Sequence, residues 1–220
     1  MIRAIILPGM DGTGDLLAEF AAALAPELEA SIVAYPKDVV LDYPALTALV
    51  AESLPREGSF VLIAESFSGP IAIELAATKP EGLIGLVLIA SYARAPRSRA
   101  LRWLQRVLPA RKLPLWPVMP MLMGRWSSPQ WRLRVRDAVR SVDAKVMRAR
   151  LQAAASIDVT AKIAEIDCPL MYLRASDDRL VKADSWRAIR DISGNAVCIE
   201  IEGPHFLLQA KPEECAAAIK

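Results

Sequence analysis

The residues best equipped for chemistry in this chain fall at three strand ends. The first is Val61-Leu62-Ile63-Ala64-Glu65-Ser66-Phe67-Ser68-Gly69-Pro70, an apolar run that passes through a small-x-Ser-x-small turn into a helical pattern. A turn tight enough to hold a serine strained at the tip of a strand needs small residues two before and two after it. Here Ala64 and Ser68 take the places that the strict form gives to glycine. Taken alone, Ser66 is either a nucleophile of this kind or the cap of the helix that follows, a role serine often fills. The second strand end is Leu170–Val181, which contains Ala175-Ser176-Asp177-Asp178, and the third is Glu202-Gly203-Pro204-His205-Phe206. His205 is the only histidine in the chain, so the choice of base is forced. An imidazole can take a serine proton and return it to a leaving group near neutral pH, provided a carboxylate holds its tautomer. Asp177 and Asp178 both stand where that carboxylate is needed, and a serine, an acid and a histidine each just past a strand favour nucleophile over cap.

Three strand ends must be carried by a sheet. Short apolar runs bounded by turn residues recur at Ala4–Leu7, Ser31–Tyr35, Phe60–Ala64, Leu83–Ala90, Leu170–Arg174 and Val197–Ile201. Helical periodicity fills most of the gaps, at Leu16–Leu28, Pro44–Leu54, from Ser66 through Ala77, Ala183–Ile192 and Pro212–Ile219. Strands that are apolar throughout and alternate with helices predict an α/β fold with a mostly parallel sheet covered on both faces. From residue 92 to about 160 the pattern turns helical only. Leu101, Leu104, Val107 and Leu108 line one face of a first helix, a second opens with Ser128 as N-cap and Pro129 in first position, and a third spans about Asp143–Ala155. This stretch is also set apart by charge: Tyr92 to Arg150 holds fifteen Lys/Arg and two acids, a net of +13, leaving −11 on the rest of the chain. The expected organisation is one domain over 1–220, an acidic α/β body with a basic helical insertion at 92–160.

Composition excludes several classes. At 220 residues, 54% apolar and 24% charged, the chain is globular and long enough to bury a core without disulfide or metal staples. Mean hydropathy is high, +0.28. Even so, the longest near-apolar stretch, Leu113–Gly124, is broken by three prolines and falls short of the roughly 20 residues of a membrane span. Met1–Leu7 is too short for a secretory leader, so a cytoplasmic chain is expected. Cys168, Cys198 and Cys215 lack CxxC spacing and, with one histidine, make no zinc set. The loop Leu7-Pro8-Gly9-Met10-Asp11-Gly12-Thr13-Gly14 is glycine-rich, but reads G-x-x-G-x-G without G-K-[ST], so nucleotide binding ranks below catalysis. No metal or organic cofactor is expected, and no nucleic acid partner.

Taken together, the three strand ends resemble those of the α/β-hydrolase superfamily over essentially the whole chain. The resemblance implies a three-layer fold and matches the family's G-x-x-D-x-x-V acid motif to Ala175–Val181, which selects Asp178 over Asp177. It implies an oxyanion hole from the backbone N–H groups of Phe67 and Met10, with Pro8 where the family commonly has His. Glu65 also stands where His is common, either raising the local negative potential or hydrogen-bonding behind the turn; we favour the second. The opening L-P-G-M-D-G-T-G looks like that of a subgroup containing lipid esterases and plastid acyltransferases that form phytyl esters. Because the chain begins directly at Ile2–Leu7, the two antiparallel strands that open the full superfamily sheet are expected to be missing, leaving about six.

The family's insertion after its sixth strand is a helical cap that walls the acyl pocket. Trp103, Trp116, Met119 and Met123, with Met121 and Trp126, either line that pocket or form ordinary cap core. The cap's arginines have three readings: attraction of an anionic acyl carrier or coenzyme A thioester, as in cap-bearing thioesterases and the carboxylesterase of biotin synthesis; seating on an anionic membrane surface; or a solvated face balanced by the acidic body. The expectation is a Ser66-His205-Asp178 hydrolase, carboxylesterase- or thioesterase-like, acting on an acyl ester or thioester through an acyl-serine. A serine at the turn argues against dehalogenase or epoxide hydrolase chemistry, where the family uses aspartate. The alternatives are an acyltransferase with the same triad and a catalytically silent binding protein.

Overall fold

The computed structural model describes residues 1–95 and 118–220. The expected first cap helix, with Trp103 and Trp116, lies outside the described residues. Six strands, β1 (Ile2–Leu7), β2 (Leu28–Ile32), β3 (Phe60–Glu65), β4 (Leu83–Ile89), β5 (Leu170–Ala175) and β6 (Val197–Ile201), form one sheet in the order β2-β1-β3-β4-β5-β6. Every pairing is parallel. Register brings Leu7 beside Ala64, Glu65 beside Ile89 and Ala175 beside Ile201, so the strands end nearly flush and the loops after them share one edge. In open parallel sheets, ligands bind beyond that carboxyl edge.

Two helical layers cover the sheet because successive strand side chains face opposite ways. Leu62, Leu86 and Leu88 pack under α2 (Tyr43–Ser53), α3 (Gly69–Ala77) and α7 (Ala183–Arg190), through Leu46, Val50, Ile71, Ile73 and Ile189. Ile63, Val87 and Ile89 point to the other layer, α1 (Ala18–Ala23), α8 (Leu207–Ala210) and α9 (Pro212–Ile219), through Phe20, Leu24, Leu207 and Cys215. The fold is the three-layer α/β arrangement expected from the sequence.

Two boundaries differ from expectation. The helix expected over Leu16–Leu28 is only Ala18–Ala23, and β2 begins at Leu28 rather than Ser31. Pro26 explains both: it has no N–H to continue a helix and biases Ala25 away from helical backbone. Val33 N donates to Ile6 O at 3.0 Å and Tyr35 N to Gly12 O at 2.7 Å, so the apolar residues after β2 still run along the core.

Between β4 and β5 the described residues form helices and turns: α4 (Met119–Leu122), α5 (Pro129–Arg140) and α6 (Ala144–Ser156). Ser128 caps α5, accepting from Trp131 N at 3.1 Å, with Pro129 in first position. A short antiparallel clip joins the two ends of this segment, with Ala95 N donating to Ile157 O and Val159 N to Ala93 O, both at 2.8 Å. None of the described helices is long and apolar enough to cross a membrane.

Phe20 is 0% exposed where α1 meets the sheet. Phe20→Ala should cost about 3–5 kcal/mol of unfolding free energy, read as a lowered midpoint in urea with unchanged slope; a cost near zero would mean that the α1 layer does not contribute to the cooperative unit.

Candidate active site

β3 ends at Glu65 and the chain makes a single 3₁₀ turn, Ser66–Ser68, before α3. Ser66 sits there at φ 47°, a left-handed conformation that L residues avoid. Its surroundings hold it. The Ser66 carbonyl accepts from Ser91 Oγ at 2.6 Å and from Gly69 N–H. Tyr43 OH donates to Phe67 O at 3.1 Å, and its ring stacks on Phe67 at 4.9 Å between centroids. Ser68 is more than small: its hydroxyl bonds the Pro8 carbonyl and lies 2.6 Å from Tyr35 OH, fastening the turn to the loop after β1. Where this turn enters α3, Gly69 leaves no room for a side chain: a Cβ there would fall 1.8 Å from Ser91 Oγ. The roles of Ser91, Tyr35 and Tyr43 come from remote chain segments and leave no local sequence signal. Nor does Ser66 cap α3, whose N-cap residue is Ser68.

The Ser66 hydroxyl instead meets His205. His205 Nε2 lies 2.9 Å from Ser66 Oγ, and His205 Nδ1 lies 2.8 Å from Asp178 Oδ2. A carboxylate only accepts, so Nδ1 carries the hydrogen and Nε2 is left to accept from the serine. Asp178 Oδ1 is held in turn by the N–H groups of Leu180 and Val181, both at 2.8 Å. Asp177 is placed quite differently. Its side chain is half exposed toward Arg125, while its N–H donates to Gly203 O at 2.9 Å and stitches the acid loop to the histidine loop.

Both side chains of the His205–Asp178 pair are 4% exposed. Burial by itself pushes the imidazole pKa down, but the charge and hydrogen bond of Asp178, with the charge of Glu65 behind them, carry it above the usual histidine value. Glu65 is buried next to the serine, accepting from Gln209 Nε2 at 3.0 Å and from the Gly9 N–H. Burial pushes its carboxyl pKa up to about 7. The hydrogen bonds expected for Glu65 are present, yet it also lines the cavity in front of Ser66.

That cavity holds about 850 Å³ of empty space, solvent at its mouth included. Its polar lining comes from Asp11, Glu65, Ser66, Tyr92 and His205, and the rest is mostly apolar, with Leu16, Leu180, Val181 and Phe206 from the body and Val118, Leu122, Val135, Val139, Met147 and Leu151 from the inserted segment. Met10 lines it too, and Phe67 follows Ser66 in the turn behind it. Of the two places open to Met119 and Met123, the pocket wall and the cap core, they take the second. They pack with Leu16, Val135 and Ala138 as core of the inserted segment. The reason is phase: Val118 and Leu122 share one face of a single helical turn and Met119 and Met123 the next, and the first face meets the cavity. The insertion is also held by charge, with Arg125 on Glu202 and Asp177, and Arg134 on Glu19 at 2.5 Å. Among the described residues no group of His, Cys, Asp and Glu is placed to hold a metal ion.

The sequence model of the alpha/beta hydrolase family matches residues 3–218. No curated protein matches the chain. Solved structures resemble it in fold: a lipase-esterase related protein from Clostridium acetobutylicum (TM-score 0.82, 18% identity, 99% of this chain and 92% of that one), a bromoperoxidase from Bacillus anthracis (0.86, 14%, 99% and 90%), and a thermophilic esterase from Thermogutta terrifontis (0.81, 20%, 100% and 88%). At these identities the likeness is one of fold, and a fold hosts more than one chemistry.

With a single histidine, the imidazole resonances need no assignment. Titrated by NMR, His205 should show a midpoint above that of a free histidine, fall in Asp178→Asn because burial then loses its main opponent, and stay put in Asp177→Asn. A midpoint that moves with Asp177 instead would shift the partner by one residue.

Proposed function

The chain belongs to the alpha/beta hydrolase family, and on that footing we propose that it is a serine hydrolase that cleaves a carboxylic ester or thioester through an acyl-serine intermediate. The observation that carries this reading is the unbroken relay from Ser66 Oγ through His205 to Asp178, at 2.9 and 2.8 Å. A silent binding protein would have no use for a strained serine aimed at its only histidine.

In this reading His205 Nε2 takes the Ser66 proton as Oγ attacks the acyl carbonyl, and Asp178 stabilises the imidazolium that forms. The carbonyl oxygen becomes an oxyanion, received by the N–H groups of Met10 and Phe67. Gly12 N donates to Gly9 O at 3.0 Å, which turns the Met10 N–H of that same trans peptide to the opposite side. The imidazolium then protonates the departing alcohol or thiol oxygen or sulfur, leaving the acyl group on Ser66. Water enters, gives its proton to His205, and releases the acid by the same steps in reverse. The apolar walls of the cavity suit an uncharged acyl chain, and we read residues 92–160 as the cap that supplies the outer wall.

The exposed cap arginines Arg132, Arg140 and Arg148 favour an anionic carrier of that acyl group. Raising salt should then lower kcat/KM for a coenzyme A thioester while a neutral ester is indifferent; equal dependence would leave the arginines as plain surface.

The direct test is intact mass after incubation with a fluorophosphonate. One adduct should form on the wild type and none on Ser66→Ala, and ester turnover in Ser66→Ala or His205→Ala should fall by roughly 10⁴ with the fold intact. A folded wild type that takes no adduct would overturn the reading.

A further inference from the structure

The turn that carries Met10 is shaped around a buried cation supplied by a different part of the chain. Gly12 N–H closes the four-residue turn onto Gly9 O. The Met10 N–H belongs to the first peptide of this turn, and the carbonyls of the next two residues anchor the turn from the far side. Arg150 Nη1 donates to Met10 O at 3.1 Å and to Asp11 O at 2.6 Å, and Nη2 donates to Pro36 O at 2.9 Å. Arg150 lies on α6, in the basic insertion, yet is 2% exposed. Gly12 is fitted to it, since a Cβ there would lie 2.5 Å from Nη1, and its φ of 68° suits glycine. On the opposite side Glu65 holds the Gly9 N–H. The turn is therefore gripped by its carbonyls from the insertion and by an N–H from the body.

Burying a guanidinium is costly unless its donors are used, and here they are spent on three backbone carbonyls, two of them in the Gly9–Gly12 turn, rather than on a carboxylate. We propose that Arg150 is a positioning residue of the active site, whose guanidinium fixes the Gly9–Gly12 turn so that the Met10 N–H is preorganised for the oxyanion, and that the hole is complete only when the inserted helices are seated. The proposal rests on the hydrolase reading above. Arg150 does not touch the substrate; it sets where Met10 stands.

The test compares wild type, Arg150→Lys and Arg150→Ala on a neutral aryl ester and on a trifluoromethyl ketone, which binds serine as a tetrahedral adduct with its oxyanion in the hole. Loss of one preorganised donor should lower kcat by about 100-fold with KM within about threefold. Ketone affinity should fall by the same factor as kcat/KM, while the His205 titration stays unmoved. Ethylguanidine added to Arg150→Ala should restore part of kcat saturably. The proposal is overturned by variants that keep wild-type kcat. It is equally overturned by a loss that matches the unfolded fraction seen by circular dichroism without rescue, or by a His205 midpoint that moves with the mutation. A wild type that labels with fluorophosphonate while the variants retain full rate sinks this proposal alone; a wild type that neither labels nor turns over sinks the hydrolase reading and this with it.

Discussion

Holding a serine at φ 47° costs on the order of 1–3 kcal/mol, and the layers around Ser66 are arranged to bear it. The constraint begins in the sheet. β3 lies between β1 and β4, so the turn at its end is walled by the loop after β1 on one side and by Ser91 after β4 on the other. Parallel pairing with flush ends then delivers the acid loop after β5 and the histidine loop after β6 to the same edge. Reversing β3, β5 or β6 would send one of the three residues to the far side. The relay is thus a consequence of strand direction as much as of residue type.

The same edge holds an unusual amount of buried charge. Asp178 and His205 balance each other, Glu65 is shared by Gln209 and a backbone N–H, and Arg150 is spread over three carbonyls. In a medium that solvates ions poorly, each such group is tolerable only with its hydrogen bonds made, so none can move alone. The result is a rigid polar floor under an apolar chamber. Rigidity of that kind serves a reaction whose charge appears briefly and in one place.

Much of this was legible in the sequence. Six apolar runs alternating with helical periodicity gave the sheet, and a lone histidine after the last run left no choice of base. Asp178 could be separated from Asp177 only through the likeness to a family motif, because two adjacent aspartates differ in nothing local; the structure separates them by burial. Other features were illegible for identifiable reasons. Pro26 outweighed the helical period of Leu16–Leu28. Met119 and Met123 lie on a helix of one turn, too short for periodicity to show which face turns inward. Arg150 was counted with a basic surface because net charge carries no information about depth, and the glycine that makes room for it, Gly12, is far away in the chain.

The clip between Ala93–Ala95 and Ile157–Val159 draws the two chain connections of the insertion together beside the sheet. Everything between those strands' worth of backbone bonds can be lengthened, shortened or swapped with little effect on the sheet, since closing a longer loop on fixed ends costs little entropy. Such a joint lets a lineage change the chamber's shape, and so its clientele, while the strand ends stay as they are. Arg150 limits that freedom. A replacement segment that fits the clip but brings no cation to Met10 and Asp11 would inherit the chamber without the tool, which makes the insertion less a removable roof than a second half of the machine.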